Sequence, residues 1–102
     1  MGIYLVTYDV KDNDRRKEIQ ATLNSKTETF NSIMLCESSY LIDTTMDIGG
    51  IHQIFENKYA QEDSFYTFSI HEMPMGHPAN SEVGAWLNEK FKKSIKKWSE
   101  IV

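Results

Sequence analysis

The sequence predicts an α+β fold, and three observations lead to it. Ile3-Tyr4-Leu5-Val6-Thr7-Tyr8 is apolar on both alternating sides, with Ile3 and Leu5 on one and Tyr4, Val6 and Tyr8 on the other. A strand without a polar face belongs in the middle of a sheet covered on both sides. Two later strand-like runs, 29–36 and 40–42, are separated only by Glu37-Ser38-Ser39, too short a link for a crossover, so they pair as an antiparallel hairpin. Two stretches with helical apolar spacing alternate with these runs, giving the order strand, helix, strand, strand, helix, strand. That order is the ferredoxin-like β-α-β-β-α-β plan, an antiparallel sheet with two helices on one face and the first and third strands central. A C-terminal amphipathic helix is predicted beyond it.

The first strand ends on Asp9, ahead of the polar turn Lys11-Asp12-Asn13-Asp14. Asp12 or Asp14 caps the first helix, whose opening turn carries Arg15, Arg16 and Lys17. Ile19 and Leu23 face the core one turn apart, and the helix stops near Asn24-Ser25-Lys26. After the hairpin, Thr44, Thr45 and Asp47 offer caps for a second helix with an apolar stripe of Ile48, Ile51, Ile54, Phe55 and Tyr59. Gly49-Gly50 weakens its first turn, which favours a later start. Gln61-Glu62-Asp63 turns the chain into the fourth strand, residues 64–70, with Tyr66, Phe68 and Ile70 on one face. Residues 1–70 thus form the predicted domain and 71–81, with Pro74, Gly76 and Pro78, a loop. Over 82–102, Val83, Leu87, Phe91, Ile95, Trp98 and Val102 step by three or four, predicting a helix packed on the domain or on a dimer mate.

At 102 residues the chain is one domain, small enough that a partner surface often completes the cover of its sheet. No basic leader or span of about 20 apolar residues is visible, so a cytoplasmic protein without membrane contact is expected. Cys36 is the single cysteine, which excludes a disulfide framework; a small buried strand residue is expected there. The net charge of −4 argues against a general nucleic-acid binder. Lys90, Lys92, Lys93, Lys96 and Lys97 nevertheless crowd the C-terminus, where they either face solvent or meet a phosphate backbone. His52 beside the second stripe reads as a surface or core-edge residue. His71, Glu72 and His77 match no metal-ligand spacing.

Asp9 holds the chemically most suggestive position, a carboxylate at the end of a rigid buried strand. Tyr8-Asp9-Val10 followed by Arg15-Arg16 resembles the opening of CRISPR-associated protein two, the small partner in spacer integration. Ser38-Ser39-Tyr40-Leu41-Ile42-Asp43-Thr44 resembles that family's serine–x–aromatic turn and third strand, more closely still in its stand-alone relatives labelled SinR. Residues 63–70 resemble its fourth strand, so the likeness covers about residues 3–70. It departs at Cys36, where the CRISPR members often carry glutamine, and after residue 70, where a loop and helix replace their short fifth strand.

The resemblance implies a ferredoxin-like homodimer in which Asp9 from each protomer contributes to a Mg²⁺ site. Oxygen ligands suit that ion, which polarises a phosphate and activates water. Arg15 and Arg16 are then placed to hold a phosphodiester. Ser38 and Tyr40 line the same edge, and Lys92, Lys93 and Lys96 meet the DNA or RNA backbone. The expected function is a nucleic-acid-associated homodimer, either a Mg-dependent endonuclease or ribonuclease acting through Asp9 or a non-catalytic nucleic-acid binder. The competing expectation is a non-catalytic protein-binding module, a regulator or inhibitor in a toxin–antitoxin, defence or phage counter-defence system.

Overall fold

A computed structural model describes residues 2–25, 30–77 and 80–91. Its elements are β1 (Gly2–Asp9), α1 (Asn13–Asn24), β2 (Phe30–Cys36), β3 (Ser39–Thr44), α2 (Ile48–Phe55), β4 (Ser64–Ile70) and α3 (Ser81–Lys90). The four strands form one sheet in the order β2-β3-β1-β4, every neighbouring pair antiparallel. β1 and β3 take the two central places, as expected from the two-sided apolar character of β1.

Strand alternation sends the two sets of β1 residues to different layers. Val6 and Tyr8 lie in a core with Tyr40 and Ile42 of β3, Ile19 and Leu23 of α1, and Ile51 and Phe55 of α2. Both early helices therefore cover one face. Ile3 and Leu5 point the other way and, with Leu41 and Ile70, meet Val83, Trp86 and Leu87 of α3. The described part of the last helix thus packs on its own sheet, on the face opposite α1 and α2. Polar contacts fix its setting: Trp86 Nε1 donates to Asn31 Oδ1 at 3.2 Å, and Lys90 Nζ lies 3.1 Å from the nearly buried Asp43 carboxylate. Residues 92–102 of the predicted helix lie outside the described residues.

Each helix starts on a polar cap that satisfies an otherwise unpaired amide. Asp12 accepts from Arg15 N (2.9 Å), Asp47 from Gly50 N (2.7 Å) and Asn80 from Glu82 N (2.9 Å). The Asp47 bond explains why α2 starts at Ile48, rather than after the glycine pair as the sequence suggested. Its predicted stripe overruns the helix: α2 ends at Phe55 and Tyr59 lies beyond it. Tyr59 still packs inward, stacked on Phe65 with ring centroids 5.3 Å apart. At the far end of α1, Ser32 Oγ donates to the Leu23 carbonyl and ties β2 to the helix.

Two boundaries and one burial differ from expectation. β3 runs through Asp43 and Thr44, because pairing with β1 continues to Gly2↔Thr44. α3 begins at Ser81, one residue earlier than predicted, where the Asn80 cap places it. Cys36 is exposed rather than buried. A bulge between Met34 and Cys36 shifts the β2–β3 register near the end of an edge strand, which puts the thiol beside the turn instead of under a helix. The Ser39 hydroxyl, followed by the Ser38 amide, draws the thiol's pKa below its ordinary value.

Candidate functional site: a polar cleft at the end of β1

Where β1 leaves the sheet, its last residues meet the β2–β3 turn and the first turns of α1. The backbone sets this junction: Tyr8 N donates to the Ser38 carbonyl at 3.0 Å, carrying the hairpin turn alongside the end of β1. The Glu37 carbonyl accepts from Gln20 Nε2 (3.2 Å) and Tyr8 Oη (3.3 Å), so helix and strand both grip the turn. Thr7 and Ser39 share a hydroxyl hydrogen bond of 2.9 Å on the adjoining register. A cleft of about 230 Å³ results, lined chiefly by Asp9, Arg16, Gln20, Glu37 and Ser38.

The side chains in and around it differ in availability. Asp9 is 70 % exposed, and Lys11 Nζ stands 2.8 Å from one of its carboxylate oxygens. That hydrogen bond, and then the charge of Asp9, raises the Lys11 pKa. Arg16 donates to the neutral amide oxygen of Asn13 at 3.1 Å and forms no ion pair among the described residues. Its charge therefore remains open to an anion. Tyr8 is mostly buried, and burial followed by the neighbouring Tyr40 pushes its hydroxyl pKa up to about 12. The phenol stays protonated near neutral pH and acts as a donor to the turn.

Arg15 does not join Arg16. Its Nε and Nη2 donate to Asp63 at 3.1 and 3.0 Å, and Nη2 also reaches Glu62 at 3.2 Å. Burial works against its charge, but Asp63 overcomes that and raises its pKa further. Successive helix residues point about 100° apart, so only one of the two arginines can face the cleft.

Tyr40 does not line the cleft either. It is 1 % exposed, because its strand position aims it beneath α1 and α2 beside Val6. Its alternation partner Ser39 faces the other layer. Lys92, Lys93 and Lys96 lie outside the described residues. Lys90, the first of the basic run, is held by Asp43. The structure therefore gathers Asp9, Arg16 and Ser38 and separates Arg15 and Tyr40 from them.

Gln20 and Glu37 were not singled out in the sequence, although both had a signal. Gln20 is one helical turn after Arg16 on the same face, and Glu37 directly precedes Ser38. No cluster of three potential metal ligands occurs among the described residues. The cleft nonetheless offers oxygen donors from Asp9, Glu37 and Ser38, the type that Mg²⁺ takes from one or two carboxylates while keeping several waters. The donor set therefore fits that ion chemically, with Lys11 as its competitor at Asp9.

No protein-family profile, curated protein or solved structure matches the chain.

Proposed function

We propose that the chain is a ferredoxin-like protein resembling CRISPR-associated protein two, which works as a homodimer and binds nucleic-acid phosphate at the β1-end cleft. The strand order β2-β3-β1-β4, with α1 and α2 on one face, supports the fold assignment. One observation carries the functional reading: Asp9 and Arg16 line the same polar cleft as Ser38, which is distant from both in sequence. Arg16 takes a non-bridging phosphate oxygen through its paired N–H donors. Ser38 donates a second hydrogen bond, and Gln20 and Tyr8 hold the turn that positions it. Asp9 would hold Mg²⁺ together with Glu37 once Lys11 turned to solvent or to the phosphate. The ion, when bound there, would supply phosphate polarisation and a water of lowered pKa, the chemistry that phosphodiester hydrolysis needs.

The test compares wild type, Asp9→Asn and Arg16→Ala on short single- and double-stranded DNA and RNA, with Mg²⁺ or EDTA. Metal-dependent cleavage by wild type is expected to fall by at least about 100-fold in Asp9→Asn. Arg16→Ala weakens binding by about tenfold, as loss of a charged hydrogen bond does. Absence of any cleavage or binding by wild type overturns the reading.

The second reading is a non-catalytic protein-binding module of a toxin–antitoxin, defence or counter-defence system. The Asp9–Lys11 contact favours it, because that carboxylate already has a cation within the chain. Salt separates the two: phosphate binding weakens steeply between low and physiological salt, whereas the binding module shows no nucleic-acid shift at either.

A further inference from the structure

β4 is an edge strand, paired only with β1 among the described strands. Edges of this kind are normally blunted by lysine, proline, a bulge or a covering loop, because their free N–H and C=O groups recruit other strands. Ser64-Phe65-Tyr66-Thr67-Phe68-Ser69-Ile70 has no charge and no proline, and its pairing with β1 runs without a bulge from Ile3↔Ile70 to Asp9↔Ser64. Tyr66 and Phe68 lie on the α3 side of the sheet yet escape its cover, 57 and 49 % exposed. Their rings stack on each other with centroids 6.1 Å apart. The chain thus presents an uncharged strand edge topped by two exposed rings, in a molecule that otherwise carries a net charge of −4.

We propose that β4 pairs antiparallel with β4 of a second copy, making one eight-stranded sheet with the two-fold axis at Thr67. The occupant is a second copy because the edge is self-complementary. An axis at Thr67 sets Tyr66 opposite Phe68 of the second copy and Phe68 opposite its Tyr66. Four rings then form one aromatic row on a single face, and cross-strand aromatic pairs are among the stabilising kinds. The absence of charge along β4 lets two acidic chains approach there without like charges meeting. Such a contact is isologous, the same patch on both copies. As a small interface it gives dissociation constants on the order of micromolar.

The geometry also fixes where the clefts go. Asp9 is level with Ser64, and Ser64 of the second copy stands opposite Ile70. Six residues along the strands and three strand spacings put the two Asp9 positions about 25 Å apart. Each chain then works through its own cleft, and the two Asp9 carboxylates never share one ion. The inference rests on the homodimer in the proposed function and is independent of what the cleft binds.

Sedimentation equilibrium from about 1 to about 200 µM tests it, a range that brackets a micromolar constant. Wild type is expected to run between monomer and dimer. Tyr66→Glu and Phe68→Lys, each at an exposed side chain, are each expected to weaken association at least about tenfold by leaving charges unpaired in the row. The double variant sets each carboxylate opposite an ammonium of the other chain and is expected to recover to within about threefold of wild type. Should a single variant lose its thermal melt, oxidation of Tyr66→Cys/Phe68→Cys in a Cys36→Ser background replaces it, with a covalent dimer expected. A monomeric wild type, single variants that dimerise normally, a double variant as weak as the singles, or no covalent dimer each overturns the proposal. Nucleic-acid binding by a monomeric single variant reports separately on the cleft.

Discussion

Asp63 accepts hydrogen bonds from the backbone of Lys11 (2.9 Å) and Ala60 (2.8 Å) while holding Arg15, and its side chain is wholly covered. Burial alone raises a carboxyl pKa, but the two amides and then Arg15 outweigh it and hold Asp63 below its ordinary value. The carboxylate thereby fastens the start of α1 to the turn before β4. Asp63→Asn is expected to lower the melting temperature by at least about 5 °C, read by circular dichroism. Because the folded pKa is depressed, this stabilisation is present above the unfolded value near 3.8 and disappears as pH falls through the folded one. The wild-type advantage over Asp63→Asn should therefore shrink in acid melts below about pH 4. Thr67 poses the opposite case: its hydroxyl oxygen is covered and has no hydrogen-bond partner among the described residues. Thr67→Val removes an unmet polar group at nearly constant shape and is expected to stabilise by about 1 kcal/mol. Residue type alone hid these roles. Asp63 reads as one more acid in the turn Gln61-Glu62-Asp63, and nothing local marks it as the member that receives Arg15.

At the scale of elements, α2 shows how a cap offsets weak propensity. Its second and third residues are glycines, neither with positive φ, so neither is required by backbone conformation. A methyl at Gly49 meets only Asp47 Oδ1 at 3.6 Å, an ordinary contact, whereas at Gly50 the same oxygen lies at 3.2 Å, and it is the cap acceptor. Gly49→Ala is expected to stabilise the fold by about 0.5–1 kcal/mol. Asp47→Ala is expected to cost about 1 kcal/mol, and chemical denaturation measures both. The sequence disclosed the strands of this fold better than their neighbours. A period-two pattern reported β4, and the two-sided apolar run of β1 reported both the strand and its central place. Tyr40 was misplaced because the resemblance set it on the same edge as Ser38, while the register with β1 aims it into the core. Arg15 and Arg16 looked equivalent in sequence, and helix rotation gave them different partners. In the candidate site, Asp9 and Ser38 were legible as residues, but their shared cleft depends on a long-range contact between β1 and the hairpin turn.

For the molecule as a whole, α3 sets which surfaces remain open. It buries Leu41 and shields Ile3, Leu5, Ile33 and Ile70, giving β1 cover on its second face. A chain ending at residue 80 should expose that layer, and dye binding together with loss of solubility is expected to report it. Among the described residues no helix is long and apolar enough to cross a membrane. The bulge between Met34 and Cys36 has a different consequence. A sheet with two regular open edges can add copies at both and grow without limit. Here the pairing ladder of β2 is interrupted on one margin, while β4 is regular on the other. In the dimer proposed above, joining two chains through β4 would consume both regular margins and leave the interrupted ones outermost. Assembly would then stop at a stoichiometry of two, with the small irregularity in β2 separating a closed pair from a fibre.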